Sequence, residues 1–167
     1  MQVHETAQGP IAGEVSDFAD LDVPAEIAFD LICAVEKWPV WLSLIDHARP
    51  ADYTPRVALG SDIVLRSTRL RLDDHIFEVA DLVAPHRLTI VDAFSERRRL
   101  EFRIEQRGER SRMTLRIGYP TYGGAIGRAY DRLFVKRNLE TALAHALVHF
   151  KSLVEYEQRP EAMLGDL

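Results

Sequence analysis

His145 and His149 stand one helical turn apart near the end of the chain, a spacing that could present two imidazoles to one metal ion. The zinc-protease pattern needs a glutamate where this sequence has Ala146, and no third ligand is apparent, so no metal is expected. His149 lies toward the flank of an apolar helix face and is instead a candidate hydrogen-bond donor or general base. Gly123, Gly124 and Gly127 follow a strand and open a helix, which invites a phosphate reading. Their spacing fits neither a dinucleotide fingerprint nor a P-loop, and close backbone packing at the helix entry is the expectation. Cys33, on an apolar helix, reads as a small buried hydrophobe. No nucleophile with an adjacent base can be read from the chain. What remains are charged residues inside apolar strand patterns, Arg66, Asp81 and Asp92. A charge within an apolar shell is costly unless matched, so such groups tend to mark sites.

Whether these groups face inward depends on the elements that carry them. A long helix is expected from Tyr122 to Glu157, ended by Arg159-Pro160. Leu139, Leu143, Ala146, Leu147, Phe150, Leu153 and Val154 fall on one face of it. The apolar residues of its earlier part face another way, so the helix should kink near Val135 to Asn138 or touch two surfaces. A first strand is expected over Glu14 to Val23, then a helix starting at Pro24 with Asp22 as a capping candidate, then a second short helix around Trp38 and Trp41. After Pro50 the pattern is almost all strand: Ile63 to Leu72, His75 to Val83, Leu88 to Phe94, Leu100 to Gln106 and Ser111 to Tyr119.

The last two strands form the clearest hairpin. A two-residue turn at Gly108-Glu109 places Leu100, Phe102 and Ile104 opposite Ile117, Leu115 and Met113, and Glu101 and Glu105 opposite Arg116 and Arg112 on the other face. Extending this register through a three-residue loop at Ser95 to Arg97, a four-residue loop at Ala84 to Arg87 and a turn at Asp73-Asp74 brings Arg66, Thr68, Asp81 and Asp92 to the apolar side. Arg66 then sits opposite Asp81.

The totals narrow the class. With 21 Lys and Arg against 26 Asp and Glu, the net charge of −5 argues against nucleic acid as a partner. No apolar run approaches the roughly 20 residues needed to span a bilayer. One cysteine and no leader-like opening lead to the expectation of a reducing cytoplasm, and no cofactor is implied. The chain reads as a tail over residues 1–13, one domain over 14–157 and a second tail over 158–167.

The order of one strand, two short helices, about six antiparallel strands and one long helix resembles the helix-grip fold of α+β class. That is the fold of START domains, the major birch pollen allergen and the bacterial polyketide cyclase/dehydrase and lipid-transport proteins. The resemblance is carried by Asp22-Val23-Pro24-Ala25-Glu26-Ile27 running into Trp38-Pro39-Val40-Trp41, by Ala84-Pro85-His86-Arg87-Leu88, by Gly124-Ala125-Ile126-Gly127-Arg128 with Asp131-Arg132-Leu133, and by Leu153-Val154-Glu155. It implies a cavity between a concave sheet of about seven strands and the long helix, holding a small hydrophobic or aromatic molecule, lipid- or polyketide-like, in a monomer or homodimer. Its expected lining is Thr68, Phe77, Val79, Ile90 and Phe94 on the earlier strands, Phe102, Leu115 and Tyr119 on the hairpin, and Tyr130 and Phe134 on the helix. The family contains both binders and cyclase- or aromatase-type enzymes. In an enzyme Arg66, Asp81, Asp92 and His149 would carry the proton transfers.

Overall fold

The hairpin that the sequence specifies best lies beside one edge strand of the observed sheet. In a computed structural model, which describes residues 13–95, 97–121 and 123–158, β6 (Arg99–Arg107) and β7 (Arg110–Tyr119) pair in the expected register. Leu100, Phe102 and Ile104 face Ile117, Leu115 and Met113, and all six are buried. Gly108 supplies the left-handed turn residue at φ +66°. β1 (Gly13–Leu21) pairs with β7 on one side. On the other side of β6 follow β5 (Arg87–Asp92), β4 (Leu72–Val83), β3 (Asp62–Ser67) and β2 (His47–Pro50), so the sheet has seven strands in the order β1-β7-β6-β5-β4-β3-β2. Every pairing is antiparallel. β2 ends at Pro50, in a stretch whose sequence carries no strand pattern.

Between β1 and β2 lie α1 (Ala25–Cys33), a tight turn over Val35–Lys37 and α2 (Trp38–Trp41). Asp22 does not cap α1; it accepts a hydrogen bond from Arg110 Nε at 2.6 Å instead. The C-terminal helix comprises α3 (Gly124–Tyr130), a π-turn over Asp131–Val135 and α4 (Lys136–Glu157). The irregularity that the two apolar faces demand therefore falls just ahead of the expected kink. Tyr122 and most of the expected tails lie outside the described residues. Gly124 adopts φ +80° with open space around it, so this glycine serves the backbone turn and not close packing.

α4 buries Leu139, Leu143, Ala146, Leu147, Phe150 and Val154, as the spacing predicts. Its Phe150 ring meets Trp41 edge-on at 4.8 Å, Trp41 meets Phe102 at 6.1 Å, and Trp38 lies 5.1 Å from Phe102. The same end is pinned by Asp22 N–H donating to Glu155 at 2.9 Å and by Lys151 donating to the Asp20 carbonyl at 2.6 Å. At the other end, where β7 finishes and the helix begins, none of the residues of α3 or the π-turn is buried. The grip is packed at one end only.

Three registers depart from expectation. β3 and β4 turn at Thr68 to Arg71, not at Asp73-Asp74, so Ile63 and not Leu70 faces Phe77. Asp46 closes this turn by accepting from Thr68 N at 2.6 Å and Thr68 Oγ1 at 2.8 Å, and Arg71 takes φ +54°. The displacement is odd, so β3 turns its other face inward. In β4, the pairing slips between Val79 and Asp81, and this bulge sends Asp81 outward. The β5–β6 connection is longer than three residues, with Asp92 N–H bonded to the Arg98 carbonyl at 2.9 Å. That shift is even and leaves Leu88, Ile90 and Asp92 on the inner face.

Candidate ligand-binding site

The expected Arg66–Asp81 pair does not form. Arg66 sits on the outer face and holds both carboxylate oxygens of Asp74 at 2.9 Å, while Asp81 is bonded to Arg87. Thr68 is exposed in the β3–β4 turn, on the same account. His149 is exposed on α4, because the buried stripe that ends in Phe150 and Val154 turns it to solvent. Phe77, Val79, Ile90, Phe102 and Leu115 do line the inner face and are buried there. Phe102, however, is taken up by the two tryptophans at the packed end.

The polar groups that come together on the inner face are Asp92 and a residue the sequence reading passed over, His75. Alternation along β4 puts His75 on the side of Phe77 and Val79, so the signal was present in the spacing. Antiparallel pairing then places the start of β4, the end of β5 and the end of β7 at one end of the sheet, the end where the long helix begins. Asp92 has a side chain only 1% exposed. Its Oδ1 accepts from the N–H groups of Phe94 at 2.9 Å and Ser95 at 3.2 Å. Its Oδ2 accepts from Ser95 Oγ at 2.8 Å and Arg98 Nη1 at 3.3 Å, and His75 Nε2 approaches it to 2.9 Å. The imidazole's N–H line is not well aimed at that oxygen, so the contact is a bent one. Burial is the largest single influence on Asp92 and opposes its ionisation. His75, Phe94 N–H and the Ser95 hydroxyl together overcome it and hold the carboxyl at about 2.

His75 is 26% exposed and has aromatic rings at its edges, Phe77 at 5.6 Å and Phe94 at 5.8 Å. Phe94 lies beyond the end of β5 and is 75% exposed, so it belongs to the rim and not to the buried lining expected of it. Tyr130 and Phe134, whose tilted rings lie 5.2 Å apart, are also more than half exposed. Tyr119 is buried at the same sheet end and its hydroxyl reaches Asp131 Oδ2 at 3.4 Å. Burial, then the Asp131 charge, push the phenol up to about 12, so it remains a neutral donor. Deeper in the grip, the fully buried indole N–H of Trp41 has no hydrogen-bond partner among the described residues. A cleft of about 210 Å³ elsewhere, between α1 and the end of α4, is bridged by Lys37 and Glu157 at 3.5 Å and is remote from these groups.

The sequence matches no family model and no curated protein. The fold does find counterparts among solved structures. A protein of Thermus thermophilus superposes with a TM-score of 0.70 at 14% identity, over 88% of this chain and 100% of that one. A START superfamily protein from Mycobacterium smegmatis gives 0.63 at 16% identity, over 87% and 99%. An aromatase/cyclase from a Streptomyces species, Zhui, gives 0.66 at 12% identity, over 93% and 99%. This protein therefore has a START-like helix-grip fold. At such identities the likeness is one of architecture, and the site must carry any argument about activity.

Proposed function

We propose that the protein binds a small apolar or aromatic molecule between the inner face of the sheet and the first half of the long helix. The observation that carries this reading is the asymmetry of the grip: tryptophan and phenylalanine rings fill one end, while α3 and the π-turn expose Ile126, Leu133 and Phe134 at the other. An apolar helix face left without cover is costly in water and is relieved by an apolar guest. Native mass spectrometry of the protein as purified, with displacement of anilinonaphthalene sulfonate fluorescence, tests it. A bound small molecule, or saturable probe binding weakened by Phe134→Ser, is expected; absence of both in a folded protein would sink the reading.

The buried Asp92 beside a half-open imidazole favours a second reading, a cyclase- or aromatase-type enzyme acting on a polyketide-like chain. There the grip would fold the chain and His75 would move protons. Ring closure of a linear polyketone, abolished by His75→Phe, would establish it over simple binding. Both readings keep the protein in a reducing cytoplasm, as a monomer or homodimer without a cofactor.

A further inference from the structure

Resting on the binding reading above, we propose that His75 is the polar anchor of the site and that its ligand class is an aromatic molecule carrying an acidic hydroxyl, a phenol or enol, which donates to His75 Nδ1. The argument starts from the chemistry of imidazole. Nε2 faces a carboxylate, and a ring nitrogen so placed carries the proton, which leaves Nδ1 as the lone-pair nitrogen. Among the described residues no protein donor occupies Nδ1. Asp92 by itself would be the staple of its own turn, since Phe94 N–H and both Ser95 donors suffice for that. His75 is not needed to close the turn, yet it sits against a carboxylate that is sealed from water.

The surroundings point to the rest of the ligand. Phe77 forms a buried wall on one edge of the imidazole, and Phe94, with 75% of its surface open, stands at another. A phenylalanine so exposed beside a polar group has no packing role within the chain, and a flat ring offers it a partner. Arg98, 3.3 Å from the same carboxylate, pairs with its charge as well. A neutral imidazole is a hydrogen-bond acceptor, which selects a hydroxyl over an ether or a bare hydrocarbon.

The test compares 2-naphthol with 2-methoxynaphthalene, nearly the same shape without the donor. Wild-type protein is expected to bind the naphthol about tenfold more tightly, the difference one charge-free hydrogen bond commonly makes. His75→Phe should equalise the two affinities, with circular dichroism showing that the variant is folded. In wild-type protein labelled with nitrogen-15 histidine, the Nδ1 resonance of His75 should move with naphthol and stay with the ether, a readout that needs no variant. Equal affinities in wild type, or a preference that survives His75→Phe, overturn the anchor and leave the binding reading standing. If neither compound binds, both fall.

Discussion

Asp92 is a carboxylate nearly sealed from water that nevertheless stays ionised, because four protein donors and an imidazole converge on it. Its folded value of about 2 lies below the ordinary 3.8, so the unfolded chain takes up its proton first as the pH falls. The stability this supplies is fully present above about pH 4 and is lost as pH drops toward 2, and by linkage it amounts to about 2 kcal/mol. Asp92→Asn should therefore be less stable than wild type at pH 7, with the gap narrowing toward pH 2.5 in urea denaturation. A gap independent of pH would mean that the charge of Asp92 does not matter. Arg66 makes the opposite case. It lies half exposed on the outer face, so Arg66→Met should leave both stability and naphthol binding unchanged within error. A clear loss of binding would put Arg66 back at the site.

At the scale of elements, the β6–β7 hairpin was legible because two independent patterns, the apolar pairs and the Glu–Arg pairs, agree on one register. The face of β3 was not, because its turn is fixed by Asp46, more than twenty residues upstream, and by Ser67 bonding to the Leu44 carbonyl. Such contacts leave no periodic trace. The bulge before Asp81 is equally silent, since one unpaired residue changes no composition. Asp92 survived because the error in its loop length was even. The packed half of the helix makes a firm prediction: Phe150→Ala removes the buried ring that packs edge-on against Trp41 and should cost about 3–5 kcal/mol. A loss under about 1 kcal/mol in denaturant would show that α4 is not docked there. Amide exchange should separate the two halves, with residues 139–154 protected and 124–135 exchanging fast until an aromatic ligand is added. Uniform protection along the helix would contradict a grip packed at one end.

For the whole molecule, the outer surface of the sheet decides what the protein leaves alone. It is rich in arginine, and a basic strip of this kind could be taken for a polyanion track. Yet Arg103 and Arg116 share Glu101 at 3.0 and 3.9 Å, Arg112 is bidentate to Asp20, Arg107 holds Glu105, and Arg87 holds Asp81. Affinity for a phosphate backbone comes from releasing its condensed counterions to free cations on the protein. Here a backbone would have to displace carboxylates that stay covalently attached a few ångströms away, and the net charge of −5 repels it at long range. The protein should pass through a heparin or double-stranded DNA column without retention at about 0.1 M salt, where exposed charges are screened beyond about 10 Å. Retention that weakens steeply with added salt, with a slope corresponding to several phosphates, would mean that these pairs open for a partner and that the outer face is itself a binding surface.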